Sequence, residues 1–250
     1  MSLSDEELER YARHIVLREV GGVGQKKLKA AKIAVIGAGG IGSVVVPALT
    51  GAGVGGLTII DSDTVELSNL HRQPLFKESD AGQPKAELAA AFARNLNRFV
   101  DVRPVSERIA ADNARALLAG HGLVIDGSDN FATRLAVSDA CVGLSIPLVS
   151  AAAVQFQGQV GLFRSRPCYR CFVGDAFDAD DCDTCAELGV LGALSGTVGS
   201  FAALLAINAI VGIDGNQAGK VHLFDGVKLD WRTITIPADP NCKACGSGQG

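Results

Sequence analysis

Short apolar runs alternate along this chain with stretches whose apolar residues recur at helical spacing. KIAVIG (32–37), LTIID (57–61), LVIDGSD (123–129) and IPLVSA (146–151) are short, rich in β-branched residues and closed by glycine, acid or small residues. That is the pattern of strands buried on both faces. VRPVSERI (102–109) is a further strand-like segment. Between these runs the spacing predicts helices from the GAGGIG turn to about Ala52, over 81–99, over 112–120 and onward from Asn130. Strand and helix alternating in this way predict an α/β, Rossmann-like fold, a largely parallel sheet with helices on both faces.

The two ends of the chain read differently. Residues 4–18 place Leu8, Tyr11, Ile15 and Leu17 at near-helical spacing, with Ser4 as a cap and Glu7 three residues later. A second helix is predicted from about Gln25 to just before Lys32. After residue 155, QVGLFR, KVHLFDG and LDWRTITI predict antiparallel strands, separated by a Cys/Asp-rich segment (168–189) and a helix over about 194–212. These later strands have too few partners for a core of their own. The expectation is one domain over 1–250: N-terminal helices (1–31), a nucleotide-binding half (32–155) and a C-terminal half (156–250) shaping the substrate site.

Gly37, Gly39, Gly40 and Gly42 lie between a strand and a helix, where glycine permits a tight turn and the helix N-terminus favours an anion. Asp61 ends the next strand about 20 residues on, placed to bond ribose hydroxyls. This combination indicates a nucleotide without separating ATP from NAD. Asn69, Arg72 and Gln73 in SNLHRQ and Lys85 in GQPKA then supply amide donors and cations at a density that suits a triphosphate. Asp126 and Asp129 in DGSDN are oxygen donors suited to Mg²⁺ at the carboxyl edge of the sheet. Asp129 is also placed to cap the helix that follows.

Composition narrows the class. Hydrophobic residues make up 48% and charged residues 20% of the 250, enough for a large core and unlike a disordered chain. A net charge of −4 gives no general pull toward nucleic acid or anionic membrane. The polar start lacks a signal-peptide core, and the apolar run near 201–213 is interrupted by Asn208; the expected location is cytoplasmic. Six of the seven cysteines fall in CxxC pairs: Cys168/Cys171, Cys182/Cys185 and Cys242/Cys245. In a reducing compartment that spacing points to metal or redox chemistry.

The motifs RYARHIVL, GxGQKKL, VIGAGGIG, IDSDTVELSNLHRQ, GQPKA, DGSDN, IPLVSAA, QGQV, PCYRC and the terminal CxxC occur in order over nearly the whole chain. Together they resemble the ubiquitin-activating-enzyme-like adenylyltransferases of the MoeB/ThiF group. The resemblance implies ATP-dependent adenylation of the C-terminal Gly-Gly carboxylate of a ubiquitin-like sulfur-carrier protein, with pyrophosphate released before thiocarboxylate formation. It implies that Asp61 holds the ATP ribose, that Asn69, Arg72, Gln73 and Lys85 surround the phosphates, that Asp129 holds Mg²⁺, that Asp63 and Asn130 also bind the nucleotide, and that Arg13 reaches across a homodimer. It implies zinc at Cys168, Cys171, Cys242 and Cys245, and a transient bond from Cys185 to the activated carrier. The acidic neighbours Asp180, Asp181 and Asp183 work against a reactive thiolate in that segment. TCAELGV favours the molybdopterin type over the thiamine type, and a sulfurtransferase is expected to act in trans. An inactive scaffold of the same fold is disfavoured by the presence of Arg13, Asn69, Arg72, Lys85 and Asp129, and an NAD-dependent oxidoreductase by SNLHRQ, GQPKA and the cysteine pairs.

Overall fold

Strand β1 (Lys32–Ile36) feeds two cores at once: Ile33 and Val35 belong to one hydrophobic cluster, Ala34 and Ile36 to the other. The computed structural model describes residues 2–174 and 188–246. Within them one sheet runs in the order β3-β2-β1-β4-β5-β6-β7-β8. Here β2 is Gly56–Ile60, β3 Asp101–Val105, β4 Leu123–Asp126, β5 Leu148–Val154, β6 Gln157–Phe163, β7 Lys220–Asp225 and β8 Asp230–Thr235. The first five strands pair in parallel and the last three extend the sheet antiparallel from β5. The predicted change of pattern near residue 155 is therefore a change of strand direction within a continuous sheet.

Helices cover both faces, as expected. On one side α3 (Gly21–Ala30), α4 (Gly42–Ala52) and α5 (Lys85–Leu96) pack with a long helix, α9 (Gly192–Val211). On the other lie α6 (Ala114–Leu118), α7 (Phe131–Leu144) and α8 (Tyr169–Val173). Helix α9 is apolar on nearly every side because it is wedged between α4 and strands β5 and β6. Its Gly199 passes so close to the chain at Ile41 that an added Cβ would stand 2.8 Å from the Ile41 carbonyl oxygen.

The N-terminal prediction needs correction. The Ser4–Glu7 capping box forms, but α1 (Asp5–Arg10) stops at Tyr11 and α2 (Ala12–Ile15) starts anew. Tyr11 is buried, and its hydroxyl accepts a 2.8 Å hydrogen bond from the Asn97 side-chain amide, which also donates to the Thr50 carbonyl at 2.8 Å. This tertiary anchor turns the chain where helical spacing alone would continue it. Helix α3 begins at Gly21, four residues before the predicted start, because its low-propensity glycines are held by contacts with α2 and α9.

Gly53 closes α4 in the left-handed region, with φ 78°, and an added Cβ would meet the Tyr11 ring at 2.4 Å. Backbone strain and steric overlap therefore act together. Gly53→Ala is expected to destabilise the fold by about 2–4 kcal/mol in urea denaturation; a midpoint unchanged from wild type would show that Tyr11 does not lock the N-terminal helices.

Candidate functional site

The parallel half reverses its order of construction at β1: the chain builds β2 and β3 on one side, then crosses to β4 on the other. The crevice outside the carboxyl ends of β1 and β4 is the ligand position such topology creates. A cleft of about 510 Å³ lies there, lined by Gly37, Gly39 and Gly40 from the glycine turn, Asp61 and Asp63 after β2, Asn69, Arg72, Gln73, Lys85 and Asp129. A smaller cleft of about 280 Å³ adjoins it and shares Gly37, Asp61, Asp63 and Asp129; Asn130 lines this second space.

The turn itself is dictated by crowding. Gly37 has φ 85°, and a Cβ on Gly42 would lie 2.0 Å from the Gly37 carbonyl oxygen, so no side chain fits at Gly42. Asp61 braces the turn: one carboxylate oxygen accepts the Ala38 N–H at 2.7 Å and the other the Asp63 N–H at 2.8 Å. Burial pushes the Asp61 carboxyl above its ordinary value, opposed by these two N–H groups and by the Lys85 ammonium.

Around the turn the polar groups are unequally committed. Lys85 is buried, with its ammonium 3.4 Å from the exposed carboxylate of Asp63. Arg72 donates to the Ser68 carbonyl at 3.3 Å and lies 2.9 Å from the His71 ring, while His71 itself is not among the residues lining the cleft. Asn69 donates to the Ser68 hydroxyl at 3.3 Å. Gln73 is only 3% exposed, and its side-chain oxygen has no hydrogen-bond partner among the described residues. A buried acceptor left open in this way costs about 1–3 kcal/mol, which a ligand donor would recover.

The DGSDN segment sorts its residues differently from expectation. Asn130, not Asp129, caps α7, its side chain accepting the Thr133 N–H at 2.8 Å. Asp129 is exposed at the mouth and makes no hydrogen bond or ion pair with a described residue. Asp126 is fully buried beneath the floor, holding the Ser128 N–H and hydroxyl at 2.9 and 2.7 Å, and lines neither cleft. It shapes the loop and is not positioned as a metal ligand.

Two of the cysteine pairs converge. The Sγ atoms of Cys168 and Cys242 are 3.6 Å apart, those of Cys171 and Cys245 3.4 Å, and all four lie within 4.8 Å of one another. A tetrahedral thiolate cage around zinc has sulfur–sulfur edges of about 3.8 Å, so the cluster is compatible with zinc. Burial raises the Cys168 thiol far above its ordinary value and pushes Cys245 up to about 11. At Cys242 burial acts the same way but is outweighed by the N–H groups of Cys245 and Ala244, and this thiol is lowered. Cys141 is a core residue, its thiol pushed up to about 12 by burial and by Asp126.

The model of the ThiF family matches residues 11–244. The chain belongs to the ThiF family. It is 41% identical over 253 residues to the sulfur carrier protein adenylyltransferase of Thermus thermophilus, covering 98% of this chain and 93% of that protein. It is 38% identical over 247 residues to the molybdopterin-synthase adenylyltransferase of Salmonella typhimurium, covering 98% of both. Among solved structures, Escherichia coli MccB in complex with MccA-N7isoAsn superimposes with a TM-score of 0.85 at 22% identity, over 98% of this chain and 76% of that one, which supports the fold.

Thr64, Glu66 and Ser128 also line this ThiF-family cleft from within the IDSDTVELSNLHRQ and DGSDN motifs, whereas Arg134 and Ser195 lie outside every motif. Arg134 is the clearest omission. Its buried guanidinium donates to the Ser128 and Ala151 carbonyls and lies 3.3 Å from the Ser150 hydroxyl, tying the Asp129 loop to β5. Its place four residues past the helix cap in DNFATR was the available cue. Arg13 is exposed on α2 and lines neither cleft of its own chain. Cys182 and Cys185 lie outside the described residues. From the cysteine geometry, Cys242→Ser is expected to lose stoichiometric zinc by elemental analysis and to lower Tm by roughly 5 °C or more, about 2 kcal/mol for a chain of this size. Full zinc content in the variant would remove the four-thiolate site.

Proposed function

We propose that this protein adenylates the C-terminal glycine carboxylate of a ubiquitin-like sulfur carrier, using ATP and releasing pyrophosphate. The observation that carries the reading is the gathering of Asn69, Arg72, Gln73, Lys85 and Asp129 opposite the glycine turn in one cleft at the switch point. The names of its relatives, a sulfur carrier protein adenylyltransferase and a molybdopterin-synthase adenylyltransferase, support the same class of substrate. The pathway is set by the carrier, and we favour the molybdopterin type.

In this reading the ATP ribose sits against Asp61 and Asp63, whose carboxylates accept from its hydroxyls as far as their backbone bonds allow. Lys85, Arg72, Asn69 and Gln73 neutralise and align the phosphates. A carboxylate oxygen of the carrier attacks the α-phosphorus as the bond to the β-phosphate breaks, and pyrophosphate leaves with the electron pair. The nucleophile is already ionised near neutral pH, so no general base is needed and the work is alignment and charge neutralisation. Asp129, exposed and without a partner among the described residues, would hold Mg²⁺. That ion supplies charge neutralisation on the phosphates. Zinc in the four-cysteine cluster would be structural, tying the segment around Cys242 to α8.

The protein is further proposed to act in the cytoplasm as a homodimer, with a separate sulfurtransferase delivering sulfur. Arg13 is exposed beside Val16, Leu17 and Val23, which are 75%, 49% and 71% exposed, an apolar surface that a second copy would cover. Each Arg13 would then complete the cleft of the other subunit.

Asp129→Ala is expected to lower carrier-dependent ATP–pyrophosphate exchange by at least about 100-fold with an unchanged Tm; near-normal exchange would refute its role. Arg13→Ala is expected to be inactive alone. Mixed in equal amounts with Asp129→Ala and allowed to exchange subunits, it should recover roughly a quarter of wild-type activity, since half the dimers are mixed and each holds one intact site. No recovery despite mixed dimers seen by native mass spectrometry would place Arg13 outside the partner's cleft.

A further inference from the structure

The cleft is completed by Ala153 at the end of β5 and by Val190 and Ser195 from the C-terminal half. Ser195 sits in the first turns of α9 and is only 3% exposed, yet its hydroxyl makes no hydrogen bond with any described residue. A helical serine or threonine ordinarily relieves this by bonding back to the carbonyl four residues earlier. Thr197, two positions on, does so with Ala193 at 2.9 Å, and Ser195 does not. Ser195 instead packs on the glycine turn, where a Cβ on Gly40 would find its oxygen at 3.1 Å.

The end of the helix beside it is equally unfinished. The residue preceding α9 is Leu191, which offers no side-chain cap, and the first turn contains no acid. The N–H groups of Leu194 and Ser195 return to the Leu191 carbonyl, while those of Gly192 and Ala193 meet no acceptor among the described residues. Gly192 abuts the loop that carries Arg72, at a distance where its own Cβ would lie 2.2 Å from the His71 carbonyl oxygen. A 20-residue helix thus begins beside the cleft, with the Ser195 hydroxyl of its first turns and the neighbouring Arg72 lining it.

We propose that Ser195 and the first turn of α9 form the subsite for the carboxylate that attacks ATP. The inference rests on the adenylation reading and adds the residue that receives the nucleophile. An ATP phosphate is the other anion this chemistry would take, and the Kd for ATP alone distinguishes the two. The approach to Ser195 also suits an extended peptide. Gln155 and the 189–191 segment exchange backbone hydrogen bonds at 2.7 and 3.3 Å, forming a lip flanked by exposed Phe156, Leu188 and Leu191. A carrier tail crossing that lip brings its terminal carboxylate to Ser195. The hydroxyl donates to the oxygen that does not attack, keeps its own proton, and leaves the other oxygen aimed at the α-phosphorus.

The test uses Ser195→Ala and Ser195→Cys in the full-length protein, with the Gly-Gly carrier that supports wild-type exchange. Both variants are expected to raise the carrier KM about tenfold, as loss of one hydrogen bond to a charged group implies, with the Kd for ATP alone within twofold of wild type. A carrier KM unchanged in Ser195→Ala overturns the subsite, as does full recovery in Ser195→Cys, which would mean that Ser195 only fills space. An ATP Kd that rises along with the carrier KM assigns the hydroxyl to a phosphate instead. Wild-type protein that shows no exchange with any Gly-Gly carrier defeats the adenylation reading itself, whereas an active wild type with an indifferent Ser195→Ala defeats only the subsite.

Discussion

The cleft depends on a single carboxylate used twice by the backbone. Asp61 accepts the N–H of Ala38 from the turn after β1 and the N–H of Asp63 from its own loop. These bonds hold the glycine turn against the end of β2, and the turn can close only because Gly42 has no side chain to strike Gly37. With that corner set, α4 leaves the sheet at a fixed angle, and α9 can lie across it through Gly199. The position of Ser195 against Gly40 follows from the same corner. A group proposed to face ribose is therefore structural before any ligand arrives, and its burial cost is partly offset by the two N–H donors.

The C-terminal half turns this nucleotide corner into a two-sided cleft. Antiparallel strands β6 to β8 extend the sheet from β5, and α9 returns across their near face to deliver the second wall. Within the parallel half, one Arg134 guanidinium serves the Asp129 loop and β5 together. A shift in β5 would therefore be felt at the mouth where Asp129 sits.

Much of this was legible in the sequence because it is local. Strand-like runs closed by glycine or acid, the glycine turn and the CxxC pairs announce themselves within a few residues, and the strands, the turn and the two described pairs match the structure. Which two of the three CxxC pairs would meet was legible only through the family resemblance, since spacing alone does not choose among them. What escaped depended on distant partners. The break at Tyr11 is made by Asn97, 86 residues away, and the early start of α3 by contacts with α9. In Asp129-Asn130 two adjacent residues were each able to cap α7, and only the fold decides between them. Ser195 is an unremarkable serine in an apolar helix until the glycine turn is placed beside it.

The cysteine cluster has a consequence for the order in which the molecule is made. Its members are 74 residues apart, and all five parallel strands precede the first of them. Because domains assemble from the N-terminal side during translation, the parallel half can pair while Cys242 and Cys245 are still unmade. Zinc held by that cluster would then be captured late and close a long loop, whose entropy it would remove in one step. A cell short of zinc would on this account accumulate chains that are ordered around β1 and unfastened around α8.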